Sequence, residues 1–178
     1  VAHVNHKLRS VSDNEAKMVE EYAIKNNVTF ELKELGYQNT KFSEDDAHRK
    51  RYEFFKSLIK KYGAKYLVTA HHGDDLIETI LMRIARGSNL NGYIGIKRIT
   101  QNEDYKTLRP LLSTTKEEII KYNKSEFISY VIDESNDSLK YTRNRYRKIV
   151  LPFLKEEDKL IHLKYLKFSE ELEEYDNF

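Results

Sequence analysis

Apolar and polar residues alternate along this chain in two distinct rhythms. "VAHV" at Val1–Val4 reads as a short buried strand. From Val11 the rhythm turns helical, with Ala16, Val19 and Ala23 sharing one face to about Asn27. Ser12 and Glu15 have capping-box spacing, which makes Ser12 the expected cap. "VTFEL", Val28 to Leu32, is β-branched and aromatic and predicts a second strand. A loop follows at Gly36–Thr40. The next helix is expected from about Ser43 to Tyr62, with Ala47, Phe55, Leu58, Ile59 and Tyr62 on one stripe and Gly63 as its stop. "KYLVTA" predicts a third strand, apolar enough to suggest that both of its faces are covered.

The second half follows the same logic. Asp74 to Ala85 predicts a helix with Ile77, Ile80, Leu81 and Ile84 on its apolar face. Asp75, Glu78, Thr79, Met82 and Arg86 lie roughly opposite. Gly87, Gly92 and Gly95 mark a loop, and Arg98–Lys106 reads as a polar surface connection. Thr107–Pro110 should be extended, because the residue before proline avoids helix. Thr114 and Glu117 have the spacing of a capping box opening a helix to about Asn123. "YVIDESND" reads as extended, then turn. Tyr141–Phe153 is expected to be helical and broken at Pro152, and Lys155–Tyr175 to form a long charged helix.

Strand, helix, strand, helix, strand, helix predicts an α/β fold, a parallel sheet with helices on both faces, followed by a helical segment. In such sheets ligands bind beyond the carboxyl ends of the strands. Two polar stretches occupy those positions. After the first strand come His3, Asn5, His6 and Arg9; after the third come His71, His72, Asp74, Asp75 and Glu78. The second stretch admits three readings. One is a charged first helical turn favoured by the helix dipole. Another is a divalent-metal site. The third is a polar site for a cationic or phosphorylated substrate.

Composition narrows these readings. The chain has 178 residues, 39% hydrophobic and 34% charged, with no cysteine. That excludes disulfides, zinc–thiolate sites and cysteine nucleophiles within the chain. No apolar run approaches the ~18 residues of a membrane span. The net charge of +2 says little, but its distribution does. Lys140, Arg143, Arg145, Arg147 and Lys148 form a basic run interleaved with Tyr141 and Tyr146, suited to RNA phosphates and unpaired bases or to a solvated helix face. Five acids lie between Glu170 and Asp176.

The ordered set "AHVNHKLRSVSDNE", "AHRKRYEFF", "LVTAHHGDDLIETILMRIARGSNLNGYIGI", "RPLL" with "KEEI", and "DESND…RNRYR…LPFL" resembles the tRNA(Ile)-lysidine synthetase family, within the N-type ATP pyrophosphatase (PP-loop) group. "TAHHxDDxxET" followed by the glycine-rich stretch is its most specific part. The resemblance spans Val1–Leu154 and implies a catalytic domain over 1–154, of the adenine nucleotide alpha hydrolase-like fold, with 155–178 as a helical linker or the start of a further region. It departs from the family in two ways. The Ser-Gly-Gly-x-Asp-Ser phosphate loop and the strand before it have no counterpart here, so residues 1–178 by themselves are not expected to form lysidine. His48 also stands where the family usually has arginine, while Ala47, Arg51 and Tyr52 fit.

The resemblance implies a cytoplasmic ligase. ATP adenylates the wobble cytidine of an isoleucine tRNA with a CAU anticodon, and lysine then displaces AMP. It implies Asp74, Asp75, Glu78 and Arg109 in catalysis, and His3, Val4, Asn5, His71 and His72 around the nucleotide. Arg83, Arg86, Arg143, Arg145 and Arg147 are implied on tRNA, with Arg83 also a candidate beside Arg109 to neutralise developing charge. ATP is the implied cofactor, with Mg²⁺ held through Asp74 or Asp75. The partners are the tRNA and L-lysine, with no membrane; exposed apolar surface would favour a homodimer. Three rivals stand beside it. A tRNA thiolase of the same group is disfavoured by the absence of cysteine. A metal-dependent phosphohydrolase would use His71–Asp75, and a non-catalytic RNA-binding fragment would use the basic run.

Overall fold

The computed structural model describes residues 1–8, 10–36, 43–132 and 138–176. Arg9, most of the expected loop at 36–40 and the turn expected at 133–137 lie outside the described residues. The chain divides into two compact units, Val1–Lys65 and Tyr66–Phe178.

The first unit is a βαβα segment: β1 (Ala2–Asn5), α1 (Ser12–Lys25), β2 (Glu31–Glu34) and α2 (Glu44–Tyr62). β1 and β2 pair in parallel, with Ala2 opposite Glu31 and Asn5 opposite Glu34. α1 buries Ala16 and Ala23, and Val4 packs against Leu35 and Ala47. Three expectations need correction. β1 is not a buried strand, because only Asn5 is fully covered. α1 starts at Ser12 with Val11 in the cap position, so Ser12 stands inside the first turn. β2 begins three residues later than expected. The Val28 N–H donates to Ala23 O and Asn27 has φ +54°, so Asn26–Val28 finishes the helix before a strand can start. α2 follows the sequence closely. The Ser43 side chain accepts from the Asp46 N–H, and Gly63 adopts φ +59°, where a Cβ would be strained.

The second unit holds a three-stranded sheet of order β3–β5–β4, from β3 (Tyr66–Val68), β4 (Ile99–Gln101) and β5 (Lys106–Leu108). β3 and β5 are parallel, and β4 runs antiparallel to β5. The expected surface connection at Arg98–Lys106 is therefore a hairpin. Its turn is closed by the Asn102 N–H on Tyr105 O and braced by the Asn102 amide on the Thr107 hydroxyl. β3 is not covered on both faces, since Tyr66 and Val68 are exposed.

The unit's helices are α3 (Gly73–Ala85), α4 (Leu90–Tyr93), a 3₁₀ turn at Pro110–Ser113, α5 (Lys116–Ser125), α6 (Thr142–Arg145), a π-helical step at Tyr146–Val150, α7 (Leu151–Glu157) and α8 (Ile161–Asp176). Leu76, Ile80, Leu112 and Leu166 form the core, flanked by Ile96 and Tyr165. α8 thus supplies part of the core through Leu166, and the Ser169 hydroxyl donates to Ile94 O. α5 is capped one residue later than its spacing suggested: Thr115 Oγ1 accepts from the Glu118 N–H at 3.2 Å, and Glu118 accepts from the Thr115 N–H at 2.7 Å. Helix continues through Pro152 and ends only at Asp158. Proline lacks an N–H and crowds the preceding turn. The wider π step just before it relieves that conflict, with the Leu151 N–H donating to Tyr146 O. No described helix is long and apolar enough to cross a membrane.

Candidate functional site

The site is built on the first two turns of α3, just beyond β3. The Thr69 N–H donates to Leu108 O, which carries the β3–β5 pairing to the strand end. Gly73 opens the helix because its Cα is closely packed. An added Cβ would lie 3.0 Å from His162 Cβ and 3.2 Å from Leu112 O. The Asp75 carboxylate reaches back to accept from the His72 N–H at 3.1 Å, a cap that the dipole favours.

The three acids then engage two sets of cations, Glu78 and Asp75 one pair of arginines and Asp74 a lysine. Glu78 is fully buried. Its Oε1 accepts from Arg147 Nε at 2.7 Å, and its Oε2 from Arg143 Nε at 2.7 Å and an Arg147 terminal nitrogen at 3.0 Å. Asp75 Oδ1 lies 3.1 Å from Arg143 and 3.4 Å from Arg147. Asp74, also buried, accepts through Oδ2 from Lys155 Nζ at 2.9 Å and from the Lys116 N–H at 3.2 Å. Lys155 also donates to Glu117 at 2.6 Å.

These contacts set the charges. Burial alone would lower the Lys155 pKa, but hydrogen bonds to Glu117 and Asp74 outweigh it and hold the ammonium above its ordinary value. Arg147 is likewise pushed up against its burial by Glu78. His71 runs the other way. Burial depresses it more than nearby Asp75 raises it, so it is held neutral near pH 7, with Nδ1 2.9 Å from Thr69 Oγ1. A cavity of about 450 Å³ opens between Ala70, His71, Asp75, Arg143 and Arg147. A second, of about 680 Å³, is lined by His72, Asp74, Glu78, Arg147 and Lys155 among others.

Other candidates sit elsewhere. Arg83 donates to Gly92 O and Gly95 O, clamping the loop after α3. Arg109 donates to Lys97 O and to the Thr100 hydroxyl, bracing the β4–β5 hairpin. Arg86 is exposed at the end of α3. Arg145 is exposed too, donating to Leu139 O, Lys140 O and Thr142.

In the first unit, buried Asn5 organises the turn after β1. Its amide donates to Asp13 at 2.7 Å and its carbonyl accepts from the Lys7 N–H. His3 stacks near Phe30, and Val4 belongs to the small core. His6 Nε2 lies 3.0 Å from Arg51. Burial and then Arg51 lower the His6 pKa, so its ring accepts from the guanidinium. His48 stacks on Tyr52.

Sequence reasoning missed Lys155, Glu117 and the backbone of Lys116. No local pattern marks Lys155, whose partners lie 81 and 38 residues earlier in the chain. Among the described residues, no group of three or more His, Cys, Asp or Glu side chains is placed to hold a metal ion.

Comparison with known proteins speaks to the family of the chain. The chain is 41% identical to the bifunctional protein TilS/HprT of Listeria monocytogenes, over 98% of this chain and 28% of that protein. It is 37% identical to the tRNA(Ile)-lysidine synthase of Bacillus subtilis, over 99% of this chain and 39% of that protein. The chain thus spans well under half the length of these curated relatives. A solved structure, the U34-tRNA thiolase NcsA from Methanococcus maripaludis with its [4Fe-4S] cluster, matches 96% of this chain and 60% of its own with a TM-score of 0.78. At 13% identity that likeness speaks for the fold. The profile of the PP-loop domain matches residues 1–154, and the chain belongs to that family.

Proposed function

We propose that this chain is part of an ATP-dependent ligase that joins lysine to the wobble cytidine of an isoleucine tRNA with a CAU anticodon. The observation that carries this reading is the 37–41% identity to proteins named tRNA(Ile)-lysidine synthase or TilS/HprT, which extends over nearly the whole chain. ATP use accords with the PP-loop domain. In the proposed reaction ATP transfers AMP to the cytidine carbonyl oxygen and pyrophosphate leaves. The lysine amine then forms a carbon–nitrogen bond at that ring carbon, the bond to AMP breaks, and the ammonium proton is lost.

Asp75, on the wall of the cavity beside His71, would draw the lysine ammonium by exchanging Arg143 for it, and its carboxylate helps to accept the proton. Arg143 keeps Nε on Glu78 and one terminal nitrogen on Asp75 while its side chain remains 43% exposed, so its other terminal nitrogen can meet a phosphate. His71, neutral on the same cavity wall, can shape a pocket for a base without adding charge. Arg109 and Arg83 serve this reading indirectly, by fixing the loops around α3. Asp75 Oδ1 is taken up by Arg143 and Arg147, so a Mg²⁺ would be held through Asp74 Oδ1, which is buried without a partner among the described residues.

The test uses the longest gene product that contains residues 1–178. It is incubated with ATP, labelled lysine and the CAU isoleucine tRNA. Label should enter the tRNA only when all three are present, and Asp75→Ala should abolish it. ATP consumed on adding tRNA, with no label incorporated, would replace the ligase with another base modification. No tRNA-dependent ATP consumption by the folded protein would remove the enzymatic reading altogether.

A further inference from the structure

On the wall of the cavity beyond β3, Arg143 and Arg147 can only donate hydrogen bonds and the Asp75 carboxylate can only accept them. His71, on the same wall, can do either. A neutral imidazole carries one proton, so the bond made by one ring nitrogen decides what the other offers. Nδ1 is engaged outside the cavity residues, by Thr69, and Nε2 is the nitrogen left for the cavity.

The backbone explains that contact. The Thr69 N–H on Leu108 O carries the sheet pairing one residue past β3, and the chain is again extended at His72, with φ −120° and ψ 177°. Side chains two apart on an extended chain share a side, which brings Thr69 Oγ1 to 2.9 Å from His71 Nδ1. Threonine is branched at Cβ, so its hydroxyl is held in few orientations and the ring adapts to it.

Two observations set the direction of the bond. Among the described residues, the half-buried Thr69 hydroxyl has no other hydrogen-bond partner. If Nδ1 carried the proton, the hydroxyl would accept it and its own hydrogen would find no acceptor there. If the hydroxyl donates, both groups are satisfied. The charges favour the same arrangement. Asp75, Arg109, Arg143 and His72 all act on His71, and the Asp75 carboxylate acts most strongly. It lies on the cavity wall, where it favours an N–H over a lone pair.

We infer that Thr69 is a positioning residue: its hydroxyl donates to His71 Nδ1, leaves the proton on Nε2, and makes His71 a hydrogen-bond donor to the cavity. Beside Arg143, that N–H meets an oxygen of the bound nucleotide. His71 is then not a base, and Asp75 alone on this wall takes the ammonium proton. The catalytic consequence rests on the ligase reading, whereas the tautomer does not.

The tautomer is read by NMR in the 178-residue chain labelled with ¹⁵N at histidine, at about pH 8, above the ordinary imidazole value. Long-range ¹H–¹⁵N correlations distinguish the two ring nitrogens, and His71→Gln assigns them. Wild type should carry the proton on Nε2, with Nδ1 shifted as a hydrogen-bond acceptor. Thr69→Val should move Nδ1 to the resonance of an unbonded nitrogen while the Ile77 and Ile80 amides of α3 stay unchanged, and Thr69→Ser should restore the wild-type spectrum. In the full gene product, Thr69→Val should lower kcat for lysine incorporation about tenfold, less than the loss of a whole donor, with the KM for ATP unchanged. Thr69→Ser should recover most of that loss. A wild-type proton on Nδ1 overturns the proposal, as does an unchanged ring spectrum in Thr69→Val. So do shifted α3 amides, which would mark a merely structural threonine, and an unchanged kcat beside an unbonded Nδ1. If wild type incorporates no lysine, the ligase reading falls and the ring spectra alone decide whether Thr69 sets the tautomer.

Discussion

Glu78 is the residue on which the charge balance of the second unit turns. It is fully buried, and both of its oxygens are taken by guanidinium nitrogens at 2.7–3.0 Å. A buried carboxylate without such partners carries a large desolvation cost. The reverse also holds, because Arg147, with its side chain 23% exposed, is only partly able to turn to water. Glu78→Gln keeps the shape and removes the charge. It should destabilise the chain by about 3 kcal/mol, the low end for breaking a buried pair, since the arginines are not wholly enclosed. Asp75→Asn should cost less, because its contacts to the arginines are longer and Arg143 is half open to solvent. Urea unfolding of the two variants beside wild type measures both. A Glu78→Gln midpoint indistinguishable from wild type would mean that desolvation cancels the ion pairs and that the cluster serves chemistry alone.

At the scale of elements, the loop after α3 is fixed by backbone geometry that only glycine satisfies. Gly95 has φ +76°, and a Cβ there would fall 2.7 Å from Ile80 Cγ1 and 2.9 Å from Leu76 Cδ1, two core side chains. Gly95→Ala should therefore destabilise by about 2–3 kcal/mol, combining left-handed strain with overpacking. Gly87→Ala, at φ +68° with open space around it, should cost only about 1 kcal/mol. Paired thermal unfolding curves check the ranking, and equal losses would show that the loop shifts to admit the methyl. Elements whose signals are local could be read from the sequence: Ser43 and Gly63 bound α2, and apolar spacing finds α3. The capping box of α5 was misplaced by one residue because Thr114 and Thr115 offer the same chemistry, each with a Glu three residues on. The pattern places Glu78 opposite the apolar face, but amphipathic spacing cannot show the counter-charges that arrive from Arg143 and Arg147, 65 and 69 residues later. β4 was lost for a similar reason, since a three-residue edge strand exists only through its pairing with β5. The π step has no local pattern beyond Pro152, which reads equally well as a break.

For the molecule as a whole, three half-buried imidazoles govern how stability varies with pH near neutrality. His3 and His6 in the first unit and His71 in the second are all lowered from the ordinary value of 6.5, chiefly by burial. As pH falls through 6.5 the unfolded chain takes up protons at these rings before the folded chain does. Unfolding is then favoured, so the stability they allow is present above pH 6.5 and lost below it, down to their depressed folded values. Glu117 adds a second acid step. Burial would raise it, but Lys155 and nearby N–H groups hold it below its ordinary 4.5, and that contribution disappears as pH falls below 4.5. At the alkaline end the raised Lys155 keeps its bridge to Asp74 and Glu117 until pH exceeds 10.5. The unfolding midpoint in urea should therefore be level from about pH 7 to 9 and fall between pH 6.5 and 5, before most carboxylates titrate. His71→Gln, which cannot protonate, should flatten the part of that fall that belongs to the second unit. A midpoint that does not move between pH 7.5 and 5.5 would mean that these rings gain protons without penalty. The neutral His71 beside Asp75 and the arginines would then lose its physical basis.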